Sequence, residues 1–355
     1  MKNYLPRLPA EWEPQSAILL TWPHVHSDWA PWLTQVEPVF VELARQIILR
    51  EQLIISCYDS AHETYIRKQL QQAAVDGEKV ATYIVPSNDT WVRDHGPITV
   101  LKEGVPCLLD FTFNGWGQKF DSRLDNLVTR RLHDLRAFGN TSLETIDFVL
   151  EGGGIETDGA GTLLTTSRCL LSPKRNLHFN RQQIEAKLKE LLGVERILWL
   201  EHGYLAGDDT DSHIDTLVRF CSPGRLCYVT CDDPQDEHYP ELQAMEAELK
   251  KFRTPDGIPY ELIPLPWPRA KYDEDGQRLP ASYANFLIIN GAVLAPTYDD
   301  AADAEALQCL QDCFPQHKII SIPCLPLIQQ YGSLHCVTMQ LPLGMGSSAH
   351  QTVQR

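Results

Sequence analysis

The chain has 355 residues, enough for one large domain or two ordinary ones, with 43% hydrophobic and 22% charged residues, an ordinary globular balance. Its 31 basic and 47 acidic residues leave a net charge of -16, which argues against nucleic acid as a partner, because no basic excess is there to neutralise phosphates. The same charge suits a cationic substrate, although charge alone describes a solvated acidic surface equally well.

No uncharged apolar run approaches membrane-spanning length, and Met1–Pro6 has no apolar signal core, so the expectation is a cytoplasmic protein with no membrane partner. Ten scattered cysteines form no Cys-x-x-Cys pair. That spacing supports neither a zinc ribbon nor a redox motif, and without a secretion signal it supports no disulfide framework.

In chain order, residues 17–22 are an apolar run ending at Pro23 and predict a buried strand. Residues 32–50 have helical spacing, with Val36, Val39, Phe40, Leu43, Ile47 and Ile48 on one side. Strands are expected at 53–57 and 81–85, with an extra amphipathic helix at 60–76 between them. A polar motif, Asn88–Pro97, leads into Ile98–Val100, and a strand follows at 106–113. Helical character at 122–135 precedes a strand at 145–150 and the motif Glu151-Gly152-Gly153-Gly154.

Further on, strands at 162–166 and 196–200 flank a helix at 181–192. His213–Phe220 reads as a motif strand, then a strand at 226–230, a helix at 239–252 and a strand at 260–264. Ala281–Ile289 opens the next unit, with a strand at 292–296, a helix at 302–314 and a strand at 318–322. The last motif, Gly332–Gln340, reads as a short strand around Cys336, and 344–355 as a loose tail. A unit of motif strand, strand, helix and strand recurs five times, closed by the two termini. Equivalent strand starts in such a cyclic array face one axis, so distant motifs would share one site. No linker interrupts the chain, which is expected to be one domain over 1–355.

Cys336, taken alone, fits a small core residue as well as a nucleophile. The company upstream changes its weight: Asp94, Glu151, His213 and Asp215 supply an imidazole and carboxylates, the parts of a nucleophilic site. His213 and Asp215, two apart on an expected strand, would share one face. They fit a hydrogen-bonded polar pair, or a metal site with Asp94 and His95. The glycines after Glu151 permit close backbone approach to a ligand or form an ordinary turn. Trp91 beside Asp94 offers a face for a planar cation, or is a core residue beside a surface ion pair of Arg93 with Asp94 or Asp89. Trp116 is a second candidate wall.

Together these motifs resemble the agmatine deiminase family, which includes bacterial peptidyl-arginine deiminases. The resemblance rests on Pro9–Pro14, Leu20–His24, Asn88–Asp94, Asp110–Gly117, Leu150–Gly153, Gly207–Asp215 and Gly332–Cys336, in family order over nearly the whole chain. It implies an α/β fold, the five-bladed propeller (pentein) of guanidine-modifying enzymes. It implies Cys336 as nucleophile, His213 as general acid and base, Asp94 and Asp215 as the guanidinium grip, Glu151 as an orienting group and Trp91 as a flanking wall. Asp209, a candidate for binding the distal amine, departs from the Glu that agmatine deiminases often carry at this position, which leaves that role open. Ile214-Asp215-Thr216 and Gly154-Ile155-Glu156 also depart from the common family pattern and bear on which guanidine is used.

The implied reaction is hydrolysis of agmatine to N-carbamoylputrescine and ammonia, through a covalent thiouronium, with no metal and no organic cofactor. Peptidyl-arginine, free arginine or an amine acceptor are the alternatives, and a homodimer is left open.

Overall fold

The computed structural model describes residues 6–75 and 77–345, so the tail expected at 344–355 lies, from 346 onward, outside the described residues. Strands β1 (Gln15–Thr21), β2 (Gln52–Cys57) and β3 (Val80–Ile84) run parallel. The first two are buried along nearly their whole length, which explains why they read as continuous apolar runs rather than alternations. The helix Leu33–Ile48 crosses from β1 to β2 and buries Val36, Val39, Phe40, Leu43 and Ile47. Each such side chain contributes about 1.5–3 kcal/mol by leaving water.

Four more sheets follow one plan. β4 (Ile98–Lys102) pairs antiparallel with β5 (Val105–Thr112), which pairs parallel with β6 (Ser142–Val149). β7 (Ile155–Thr157), β8 (Thr162–Thr166) and β9 (Arg196–Leu200) repeat it. So do β10 (Val218–Ser222), β11 (Arg225–Val229) and β12 (Glu261–Leu265). A two-stranded hairpin, β13 (Lys271–Tyr272) with β14 (Arg278–Leu279), stands apart from the sheets and was not expected. β15 (Leu287–Ile289), β16 (Ala292–Thr297) and β17 (Lys318–Pro323) complete the fourth repeat. Finally β18 (Met339–Pro342) pairs antiparallel with β1, giving the first sheet the same plan across the two ends of the chain.

A parallel return needs a crossover of a dozen or more residues, and the helices Arg181–Leu192, Tyr239–Leu249 and Asp303–Cys313 supply it. The first is bounded by its own sequence. Asn180 and Gln183 form a capping box, and Gly193 ends the helix at φ 68°. A Cβ at Gly193 would also lie 1.4 Å from the Pro6 carbonyl oxygen, so both conformation and space demand glycine there.

The expected strands at 213–220, 281–289 and 332–340 are corrected. His213 precedes a 3-10 turn at Ile214–Thr216, and the strand starts at Val218. Residues 281–286 are turn and coil, with strand only at Leu287–Ile289. Cys336 sits in a turn over 334–337, before β18. The motifs do not occupy the strands. They are the turns that feed the first strand of each sheet, so His213 and Asp215 do not meet by strand alternation.

Candidate active site

Five turns, each just before the first strand of a sheet, form a closed cycle of hydrogen bonds. The Gly153 N–H donates to Asp94 Oδ1 at 2.9 Å. His213 Nε2 faces Glu151 Oε2 at 3.4 Å. Asn285 Nδ2 donates to the Asp215 carbonyl at 3.4 Å. The His335 N–H donates to Asn285, at 2.9 Å to Oδ1 and 3.1 Å to its carbonyl. The Arg93 N–H donates to the Cys336 carbonyl at 3.1 Å and completes the cycle.

This cycle floors a cavity of about 390 Å³, lined by Trp91, Asp94, Trp116, Asp209, His213 and Cys336 among others. That size suits a small organic ligand. A larger cavity of about 500 Å³ by His24, His26 and His62 has no cysteine or arginine on its wall.

Asp94 is held from three directions. Trp116 Nε1 donates to its Oδ2 at 2.9 Å, Gly153 binds its Oδ1, and His213 Nδ1 lies 3.6 Å from that oxygen. A Cβ at Gly153 would stand 2.6 Å from His213 Nδ1 and 2.9 Å from Asp94 Oδ1. The glycine is therefore what lets imidazole and carboxylate approach. Trp91 packs against Gly332, where a Cβ would fall 2.2 Å from the indole.

The electrostatics follow from burying three carboxylates together. Burial, then Asp215 and Glu151, push Asp94 up, against the pull of His213. Burial alone would lower His213, but Asp94 and the groups behind the ring hold it well above its ordinary value. Burial, then Asp215 and Asp94, push the Cys336 thiol well up. Both directions favour a protonated imidazole and a neutral thiol in the resting site. Cys336 Sγ lies 3.4 Å from Asn285 Oδ1 and 3.9 Å from Asp215 Oδ2.

Glu151 lies behind His213. Its carboxylate accepts from Arg175 Nε at 3.0 and 2.7 Å, and burial's upward push is outweighed by His213 and Arg175. Cys169 Sγ lies 3.7 Å from Glu151 Oε2. Glu151, Cys169 and His213 are, among the described residues, the one group whose metal-ligand-type atoms all lie within 4.8 Å. The alternative set of His213, Asp215 and Asp94 with His95 is not drawn together in this way. Arg175 already places a cation against the Glu151 carboxylate, which makes the trio a hydrogen-bonded cluster rather than a ready metal cage.

The eight candidate site residues reach this region, at differing depth, whereas His95 does not line the cavity. Cys336, His213, Asp94, Trp91, Trp116 and Asp209 line the cavity, whereas Glu151 and Asp215 lie behind the wall. Arg93 is corrected: it forms no surface pair with Asp94 or Asp89 but is buried, donating to the His335 carbonyl and to Gln340. Five participants were missed: Glu11, Arg175, Arg219, Asn285 and His335. Glu11, Asn285 and His335 stood inside quoted motifs but had no assigned chemistry, and Arg175 stood in none.

Comparison with known proteins decides the family. The model of the Porphyromonas-type peptidyl-arginine deiminases matches residues 7–342. The chain belongs to that family.

Its relatives within and around the family cover it end to end. An agmatine deiminase of Ectopseudomonas mendocina is 34% identical, over 96% of each chain. The structure of C. jejuni agmatine deiminase with substrate bound is 37% identical, with a TM-score of 0.90 over 98% of this chain and 99% of that one. A Porphyromonas gingivalis structure assigned provisionally as an arginine deiminase is 52% identical, with a TM-score of 0.89 over 96% and 99%. The fold of this peptidyl-arginine deiminase family member is therefore the α/β fold of these deiminases. Among the described residues no helix is long and apolar enough to cross a membrane.

Proposed function

We propose that the protein is an agmatine deiminase: it hydrolyses agmatine and water to N-carbamoylputrescine and ammonia. The observation that carries the proposal is the convergence of Cys336, Asp94 and His213 on one cavity walled by Trp91 and Trp116, with Asp215 3.9 Å behind the thiol. A guanidinium is planar and presents paired N–H groups to carboxylates. Buried carboxylates this close repel one another until a cation enters.

The chemistry then runs in two halves. The arriving cation offsets the carboxylate field that holds the Cys336 thiol up, and the thiol loses its proton to solvent. The thiolate attacks the guanidinium carbon. The His213 imidazolium protonates the departing nitrogen, and ammonia leaves a covalent thiouronium. Neutral His213 next takes a proton from water, which adds to the same carbon. The C–S bond breaks as the added hydroxyl gives up its proton to solvent, releasing the neutral ureido product and the thiolate. Asp94 and Asp215 grip the guanidinium, Glu151 orients His213, and the indoles of Trp91 and Trp116 flank the plane. Asp209 meets the distal amine. Cys169 is a weaker nucleophile candidate, because it is fully buried and does not line this cavity.

The five sheets are read as blades of one propeller forming a single catalytic domain over 1–355, supported by the closed cycle of turn contacts. A small polar substrate fits a cytoplasmic enzyme. The test is release of ammonia and ureido product from agmatine, free arginine and a peptidyl-arginine, side by side. Preferred turnover of agmatine is expected. Turnover of another guanidine alone would overturn the substrate, and none at all would overturn the reaction. Cys336→Ala should abolish turnover and retain guanidine binding.

A further inference from the structure

Behind Asp215 lies a buried chain of charge that the reaction scheme does not use. His335 Nδ1 lies 2.7 Å from Asp215 Oδ2, and His335 Nε2 lies 2.7 Å from Glu11 Oε2. Glu11 also accepts from Arg219 Nη2 at 2.9 Å and from the Ile288 N–H at 2.7 Å. Arg219 continues to Glu156 at 3.0 Å. The side chains of Glu11, His335 and Arg219 are buried. Carboxylate oxygens only accept, so both imidazole contacts are hydrogen bonds when each ring nitrogen carries a hydrogen. The partner oxygen of the same carboxylate, Asp215 Oδ1, is buried with no hydrogen-bond partner. A buried carboxylate oxygen left open in this way is costly unless a ligand completes it.

We propose that His335, held by Glu11, is a positioning residue that fixes the Asp215 carboxylate through Oδ2, the oxygen 3.9 Å from Cys336 Sγ, and leaves Oδ1 without a protein partner. The inference rests on the proposed guanidine site. It gives the segment 9–14 a function, although Glu11 touches neither the substrate cavity nor the nucleophile: the segment carries the far end of the clamp. It also explains why the residue before Cys336 is a histidine. One turn delivers the thiol to the front of the site and the brace to its back.

The test compares two substitutions that separate the ring nitrogens. In His335→Asn the amide nitrogen falls near Nδ1 and keeps the bond to Asp215. In His335→Gln it falls near Nε2 and keeps the bond to Glu11 instead. Agmatine kinetics of the full-length enzyme should show His335→Asn within a few-fold of wild type. His335→Gln should lose roughly 10- to 100-fold in kcat/KM, chiefly through KM, the loss of one hydrogen bond to a charged group. Equal losses, or none in either variant, would overturn the inference. A wild-type enzyme inactive on every guanidine would count against the proposed function instead.

A second measurement needs neither turnover nor a stable variant. Proton NMR of the wild-type protein should show two slowly exchanging imidazole N–H signals from one histidine, with a cross-peak from one of them to the Ile288 N–H placing that nitrogen at Glu11. A single such signal would overturn the inference.

Discussion

Arg175 donates Nε to both oxygens of Glu151, at 3.0 and 2.7 Å, and neither side chain has any exposed surface. The same guanidinium reaches Asp211 at 2.6 Å and the Thr210 carbonyl at 2.7 Å. It therefore ties the group behind the imidazole to the loop that delivers His213. Asp211 and Ser212 both have left-handed φ, 67° and 64°, a conformation that non-glycine residues hold only when their surroundings enforce it. Arg175→Met should leave the buried Glu151 charge with His213 as its remaining cationic partner and destabilise the fold by about 3–5 kcal/mol. Urea unfolding measures this directly, and activity should fall even below the unfolding transition because His213 loses its support.

Gly153→Ala asks whether the approach of His213 to Asp94 is what the glycine is for. The added methyl would meet three site atoms within 3.2 Å. Its backbone is not left-handed, so strain is no confounding factor. A displacement of about 1 Å at such a site costs on the order of 10²-fold in rate. Steady-state kinetics should show that loss, with a thermal unfolding temperature close to wild type.

The cavity mouth predicts a pH effect of definite sign. Burial, then Asp208, raises Asp209 to about 7, and burial raises Asp89 to about 6. Both gain negative charge as pH rises through these values, so a dication binds better on the alkaline side. KM for agmatine should fall between pH 6 and 8, and Asp209→Asn should flatten that change. An unchanged profile in the variant would remove Asp209 from amine recognition.

Glu51 offers a test of stability away from the site. It is buried, accepts from Asn290 at 2.7 Å with one oxygen, and leaves the other without a partner. Burial raises it to about 8, from the 4.5 of an exposed glutamate. Between those values the folded state holds a proton that the unfolded state has lost, so this group lowers stability as pH rises. Each pKa unit is worth about 1.4 kcal/mol. Glu51→Gln should stabilise the protein by more at pH 8 than at pH 5, a difference of roughly 2 kcal/mol or more in denaturant unfolding.

Repeat plan and motif order were legible in the sequence because apolar periodicity is local. The helix over 32–50 was visible from Val36, Val39, Phe40, Leu43 and Ile47 alone. The placement of Cys336 and His213 was not, because alternation of polar and apolar residues imitates a strand where the chain makes a turn. His335 and Glu11 were invisible as a pair for a different reason. Their contact joins positions far apart in sequence, and no local pattern reports a long-range hydrogen bond. Arg175 had no motif at all, since a buried arginine looks like a surface one until its partners are known.

The antiparallel pairing of β1 with β18 sets Leu19 against Met339, and this has a consequence for synthesis. A growing polypeptide exposes one edge of β1 until its last part is made. Contacts this distant in sequence form slowly, and an open strand edge invites association with other chains. Catalytic competence would therefore appear late, once the thiol and the N-terminal carboxylate that braces its neighbour have met. A chain broken off before Cys336 lacks both the nucleophile and the strand that shields the edge. It should accumulate as inactive, aggregation-prone material rather than as a weak enzyme.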